Sequence, residues 1–116
     1  MKDFRDFKVW KKSRELVLET YADSRGFPAD ERFGLTSHLR KTVISIPSNI
    51  AEGCGRDSDR DFARFLTIAM GSASEARYQI LLAHDLRYLS EGRYKVLDSL
   101  VREVKRMLAG LINTLS

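Results

Sequence analysis

Two histidines, one cysteine and the serines Ser45, Ser48 and Ser72 are the residues of this 116-residue chain best suited to covalent or acid–base chemistry, and their spacing organises none of it. A di-iron centre in a helical bundle needs inward carboxylates plus a Glu-x-x-His pair on each of two helices. No glutamate here has histidine three residues later, and His38 and His84 are the only histidines. Cys54 has no second cysteine with which to build a bridge, a zinc site or a redox pair. Ser45, Ser48 and Ser72 lack a glycine-flanked elbow and ordered triad partners. No catalytic residue, metal or cofactor is expected, and the chain reads as a non-enzyme.

One catalytic spacing is present. Helical ribonucleases of the HEPN type use an arginine followed after four to six residues by a histidine, and Arg77 to His84 and Arg32 to His38 both qualify. Thirteen arginines make such spacings common by accident, and two hits on different helices weaken each other. A HEPN-like ribonuclease is therefore the minor alternative.

Binding chemistry has more material. Basic residues cluster as Lys8, Lys11 and Lys12; as Arg56, Arg60 and Arg64; and as Arg102, Lys105 and Arg106, in a chain of net charge +4. Cations that neutralise phosphates release counterions, so such patches predict salt-sensitive RNA or DNA binding, especially when repeated around an oligomer. Asp57, Asp59, Asp61 and Glu103 interleave with them, which is equally the pattern of a solvated face. No recognition motif or stacking platform is visible, so little base specificity is expected. The alternative is a purely structural assembly or protein-interaction module.

A second polar set is Ser45, Asn49, Glu52, Ser72 and Glu75, read as lying on or beside the inner stripes of the second and third helices. Buried amides and carboxylates need partners, so these five are expected to form a network holding one helix against the glycine of the other. A ligand or interface role, with Glu52 as the contact, is the other reading.

Four helices must position these groups. Asp6 is the expected cap of a first helix from Phe7 to Ser24, with Phe7, Trp10, Val17 and Tyr21 on its inner face. A second begins between Ala29 and Thr36, carries Leu35, Leu39, Val43, Ile46 and Ile50, and stops at Gly53 and Gly55. Pro47 has no amide to give Val43, which predicts a kink. Ser58 caps a third helix running to about Leu89, faced by Phe62, Phe65 or Leu66, Ala69, Ala73, Ala76, Ile80 and Ala83, with close helix approach at Gly71, Ser72 and Ala73. A fourth, from about Arg93, carries Leu97, Val101, Val104, Leu108, Leu111 and Leu115, flanked by Val96, Leu100, Met107 and Ile112. That wide arc is either central to its own bundle or buries a second face against another subunit. The simplest packing is an all-α, antiparallel up-down-up-down four-helix bundle of left-handed seam geometry.

Composition agrees. With 43% hydrophobic and 31% charged residues and two prolines, the chain has the balance of a helical globule. Its length suits one domain over residues 1–116 with no internal linker. The first residues mix acid and base and lead into no apolar run, so neither a signal peptide nor a membrane span is expected, and a reducing cytoplasm is the expected location.

The run Ser45-Ile46-Pro47-Ser48-Asn49-Ile50-Ala51-Glu52-Gly53 resembles the signature of the 23S rRNA intervening-sequence proteins. Phe7-Lys8-Val9-Trp10 looks like that family's opening. Phe27-Pro28 with Glu31 and Gly34-Leu35-Thr36-Ser37 looks like the start of its second helix, and Phe65-Leu66 with Ala69, Gly71-Ser72 and Glu75 like its third. His38 departs from the family's usual glutamine, and Cys54 after the glycine is a second departure. The resemblance implies a four-helix bundle more sharply than it implies an activity. Related accessory proteins of diversity-generating retroelements form five-subunit barrels whose basic surfaces contact nucleic acid and a reverse transcriptase. By that similarity a homopentamer is implied, with RNA, DNA or a nucleic-acid-processing protein as partner and no membrane.

Overall fold

The computed structural model describes residues 2–115; Met1 and Ser116, the ends of the expected domain, lie outside the described residues. Four helices account for most of the chain: α1 (Lys8–Ser24), α2 (Leu35–Cys54), α3 (Asp59–Asp85) and α4 (Glu91–Thr114). There is no strand among the described residues. Each helix packs on its neighbours in sequence, and α4 closes on α1, so the four form a bundle around one core.

The core is built from the periodic apolar rows. Leu39, Val43, Ile46 and Ile50 of α2, Phe62, Leu66 and Ile80 of α3, and Leu97, Val101, Val104 and Leu108 of α4 are fully buried, as their spacing predicts. On α3 the alanines at 69, 73, 76 and 83 are buried too, and their small size lets its neighbours approach closely.

On α1 the inner row differs from the expected one. Val9, Ser13, Leu16, Thr20 and Ser24 are buried, whereas Phe7, Trp10, Val17 and Tyr21 are half-buried flanks. Hydroxyls can occupy an inner row when the helix backbone satisfies them. Ser13 donates to the Trp10 carbonyl at 2.8 Å and Ser24 to that of Tyr21 at 3.3 Å.

The helix ends also correct the reading. Asp6 does not cap α1: it lies in a short 3-10 turn, Phe4–Asp6, capped by Asp3, and the extended residue before α1 is Phe7. The start of α2 is capped from outside, the Glu31 carboxylate accepting from the Leu35 amide at 3.1 Å. Ser58 and Ser90 accept the amides of Asp61 and Arg93 and cap α3 and α4.

Helix α3 stops at Asp85 rather than near Leu89. Arg87 takes a left-handed conformation (φ 66°), and the amides of Tyr88 and Arg87 return to the carbonyls of Ala83 and His84. That is the Schellman arrangement, which ordinarily uses glycine at the position held here by Arg87.

The glycine of close approach is on α2, not α3. Gly71 is exposed, and a β-carbon there would meet nothing within 4 Å. Gly53 is buried in the last turn of α2, where a β-carbon would lie 2.9 Å from Phe65 Cβ and 3.0 Å from Phe62 Cδ1. The flanking apolar row of α4 is mostly covered by its own chain: Leu100, Met107 and Ile112 are half-buried against the core and Val96 is the exposed member, while Leu111 and Leu115, at the end of the main row, are only half-buried.

Candidate nucleic-acid interface

The contact between α1 and α4 joins two of the three basic clusters. Lys12, half-buried in α1, lies 3.2 Å from Glu15 on its own helix and 3.9 Å from Glu103 across the seam. Glu103 in turn lies 3.8 Å from Arg106. Lys8, Lys11, Lys12, Glu15, Glu103 and Met107 line a groove of about 330 Å³, and Ser99, Arg102, Glu103 and Arg106 line a second of about 340 Å³. Both grooves contain Glu103, so they adjoin. Arg102 leans on Asp98 at 3.8 Å, and Lys105 is half-buried beside them.

The α1–α4 face thus gathers more cations than carboxylates, and Lys8 and Lys11 are exposed with no ion pair to another of the described residues. These ion pairs are only partly exposed, and their long distances of 3.2–3.9 Å leave the cations with donors to spare for a phosphate. Sequence reasoning treated Glu103 as a diluting charge; it sits where the two clusters meet.

The third cluster stands apart at the α2–α3 connection, and two of its members are engaged. Arg56 bonds Glu52 at 2.8 Å and Arg64 approaches Asp61 at 4.0 Å. Both guanidinium groups also lie over the Phe65 ring, at 4.7 and 4.6 Å. Arg60 is exposed.

The second polar set is not an inner network. Glu52 and Glu75 are exposed, and Ser45, Asn49 and Ser72 half-buried. The hydrogen bonds they make are local in sequence: Ser45 to the Thr42 carbonyl, Asn49 to that of Ser45, Arg56 just past the end of α2 donating to Glu52, and Gln79 donating to Glu75 at 3.3 Å. The close α2–α3 contact is made instead by Gly53 against the two phenylalanines.

Of the arginine–histidine spacings, Arg77 is held 3.2 Å from Asp98, and His84 pairs with Glu91 at 2.7 Å while its ring stacks on Tyr94. His38 is exposed on α2. Among the described residues no group of three or more His, Cys, Asp or Glu side chains is placed to hold a metal, and no helix is long and apolar enough to cross a membrane.

Two polar clamps fix how the site's elements sit. Arg93 at the start of α4 bonds both oxygens of Asp23 at 3.0 Å and lies 3.5 Å from Glu19, which raises its pKa and ties α4 to the end of α1. Tyr88 donates to Glu31 at 2.8 Å, and that hydrogen bond pushes the phenol pKa up.

Fold and surface together define a class: a four-helix bundle with a basic seam between its first and last helices. The chain belongs to the 23S rRNA-intervening sequence protein family, whose model matches residues 5–110. It is similar to the crystal structure of a protein of unknown function from the S23 ribosomal protein family of Bacteroides thetaiotaomicron, with a TM-score of 0.83 at 24% identity, covering 90% of this chain and 95% of that one. That likeness shows the fold. No curated protein matches the sequence significantly.

Proposed function

We propose that this protein is a non-enzymatic, self-assembling four-helix bundle that binds RNA or DNA electrostatically, acting in the cytoplasm. The observation that supports it is the meeting of Lys8, Lys11 and Lys12 with Arg102 and Arg106 along one seam, around the single shared carboxylate of Glu103. Such a surface holds the phosphate backbone and reads no sequence. Assembly draws on Ile68 and Tyr78, 43% and 62% exposed on α3, with the half-buried second row of α4. The homopentamer implied by the retroelement accessory proteins is the expected stoichiometry.

Filter binding over a salt series tests the first half. The logarithm of the affinity for duplex nucleic acid should fall linearly with the logarithm of salt concentration, by about 0.9 in slope for each phosphate neutralised. Lys11→Glu with Arg102→Glu should weaken binding and flatten that slope. No retention even at low salt ends the nucleic-acid reading. Light scattering on the purified chain tests the second half, and a monomer mass at every concentration ends the assembly reading.

A further inference from the structure

A third basic site lies at the other end of α1, where sequence clustering did not mark one. The turn after α1 and the first turns of α2 enclose a pocket of about 340 Å³, with Arg25, Arg32 and Arg40 among its lining residues beside Ser24 and Thr36. None of the residues lining it is acidic. The carboxylates nearest in sequence are engaged elsewhere: Asp23 by Arg93, and Glu31 by the Tyr88 hydroxyl and the Leu35 amide. Asp30, exposed in the connecting turn, is not among the residues that line the pocket.

Two of the three arginines have fixed contacts. Arg40 donates through Nε to Ser24 Oγ at 2.8 Å and lies 4.7 Å from the centre of the Tyr21 ring, which leaves its two terminal nitrogens for a ligand. Arg32 lies 5.3 Å from the centre of the Phe33 ring. Phe33 itself is 85% exposed, the most exposed large apolar side chain among the described residues. Planar guanidinium groups without carboxylates suit a phosphate, and an uncovered aromatic ring suits a base, which every nucleotide supplies beside its phosphate.

We propose that this pocket binds a phosphate of single-stranded nucleic acid through Arg25, Arg32 and Arg40, with the neighbouring base stacked on Phe33. The proposal rests on the nucleic-acid reading above but places a second, strand-selective contact away from the α1–α4 seam. A duplex keeps its bases stacked on one another, so it can use the seam and gains nothing from Phe33.

The test is fluorescence anisotropy of labelled oligouridylate and of an RNA duplex of equal length, with wild type, Phe33→Ala, Phe33→Trp and an Arg25→Gln/Arg32→Gln double variant, circular dichroism confirming the fold of each. Phe33→Ala should lower oligouridylate affinity about ten-fold with the salt slope unchanged, and Phe33→Trp should hold it. The arginine variant should lower both affinity and salt slope, the slope by about 0.7 for one lost phosphate contact. Duplex binding should be unaffected by all three. If wild type binds oligouridylate and none of the variants changes it, the pocket proposal is overturned while the seam reading stands. If wild type binds neither RNA, both fall. If Phe33→Ala dissolves an oligomer and leaves oligouridylate binding intact, Phe33 is a subunit contact and the proposal is overturned.

Discussion

Replacing Gly53 by alanine sets two effects against each other. In a helix interior glycine costs about 1 kcal/mol relative to alanine, so the substitution would ordinarily stabilise. At Gly53 the new methyl would sit 2.9 Å from Phe65 Cβ and 3.0 Å from Phe62 Cδ1. Phe65 Cβ is anchored directly to the α3 backbone, and both rings are buried, so relief requires α2 and α3 to move apart. Overpacking of that kind costs about 1–3 kcal/mol, and contact with an immobile β-carbon belongs in the upper half of that range. The net expectation for Gly53→Ala is a loss of about 1–2 kcal/mol, or roughly 4–8 °C in Tm for a chain of this size. Gly110→Ala is the control: its β-carbon meets nothing within 4 Å, so about 0.5 kcal/mol of stabilisation is expected. Urea and thermal unfolding followed by circular dichroism measure both. A Gly53→Ala protein as stable as wild type would refute the claim that this glycine sets the α2–α3 distance.

Three further outcomes follow from features of the bundle. Arg87→Gly relieves a left-handed non-glycine residue at the end of α3 and should raise stability by about 1 kcal/mol in urea titration; no gain would mean that Arg87 is not strained. The Tyr88 phenol pKa is raised by its bond to Glu31, so the bond's contribution is complete below the unfolded value near 10 and is lost as pH rises through the folded value. Tyr88→Phe should therefore be less stable than wild type at pH 7 and 9, the gap closing above about pH 10; a gap independent of pH contradicts this. Burial pushes the Cys54 thiol pKa up and leaves it 1% exposed, so an aromatic disulfide reagent at pH 8 should modify native protein far more slowly than urea-unfolded protein. Equal rates would place the thiol at the surface.

The periodic apolar residues made α2, α3 and α4 legible, because Val43, Ile46, Leu66, Val101 and their neighbours bury the rows that their spacing draws. Helix α1 was read one row off, since Ser13 and Thr20 occupy its inner face and hydroxyls carry no hydrophobic signal. The end of α3 was hidden because Arg87 stands where glycine would have announced a stop. Asp6 offered a plausible cap, but the preceding 3-10 turn consumed it. For the candidate interface, residue types were readable and convergence was not. Lys11 and Arg102 line adjoining grooves only because α4 packs on α1, a tertiary fact. Arg25, Arg32 and Arg40 come from a helix end, a turn and another helix, so no linear cluster marked them. Nothing in its type or spacing singles out Phe33, and only the packing leaves it uncovered.

The basic seam is assembled from the chain's first and last helices, latched by Arg93 on Asp23 across 70 positions of sequence. It therefore exists only in molecules whose ring of helices has shut. A polyanion held there draws the population toward that form by mass action, by about 2.7 kcal/mol when it is present at a hundred times its dissociation constant. On the proposed function, melting temperature becomes a gauge of occupancy that should rise with added nucleic acid and fall back as salt competes it away.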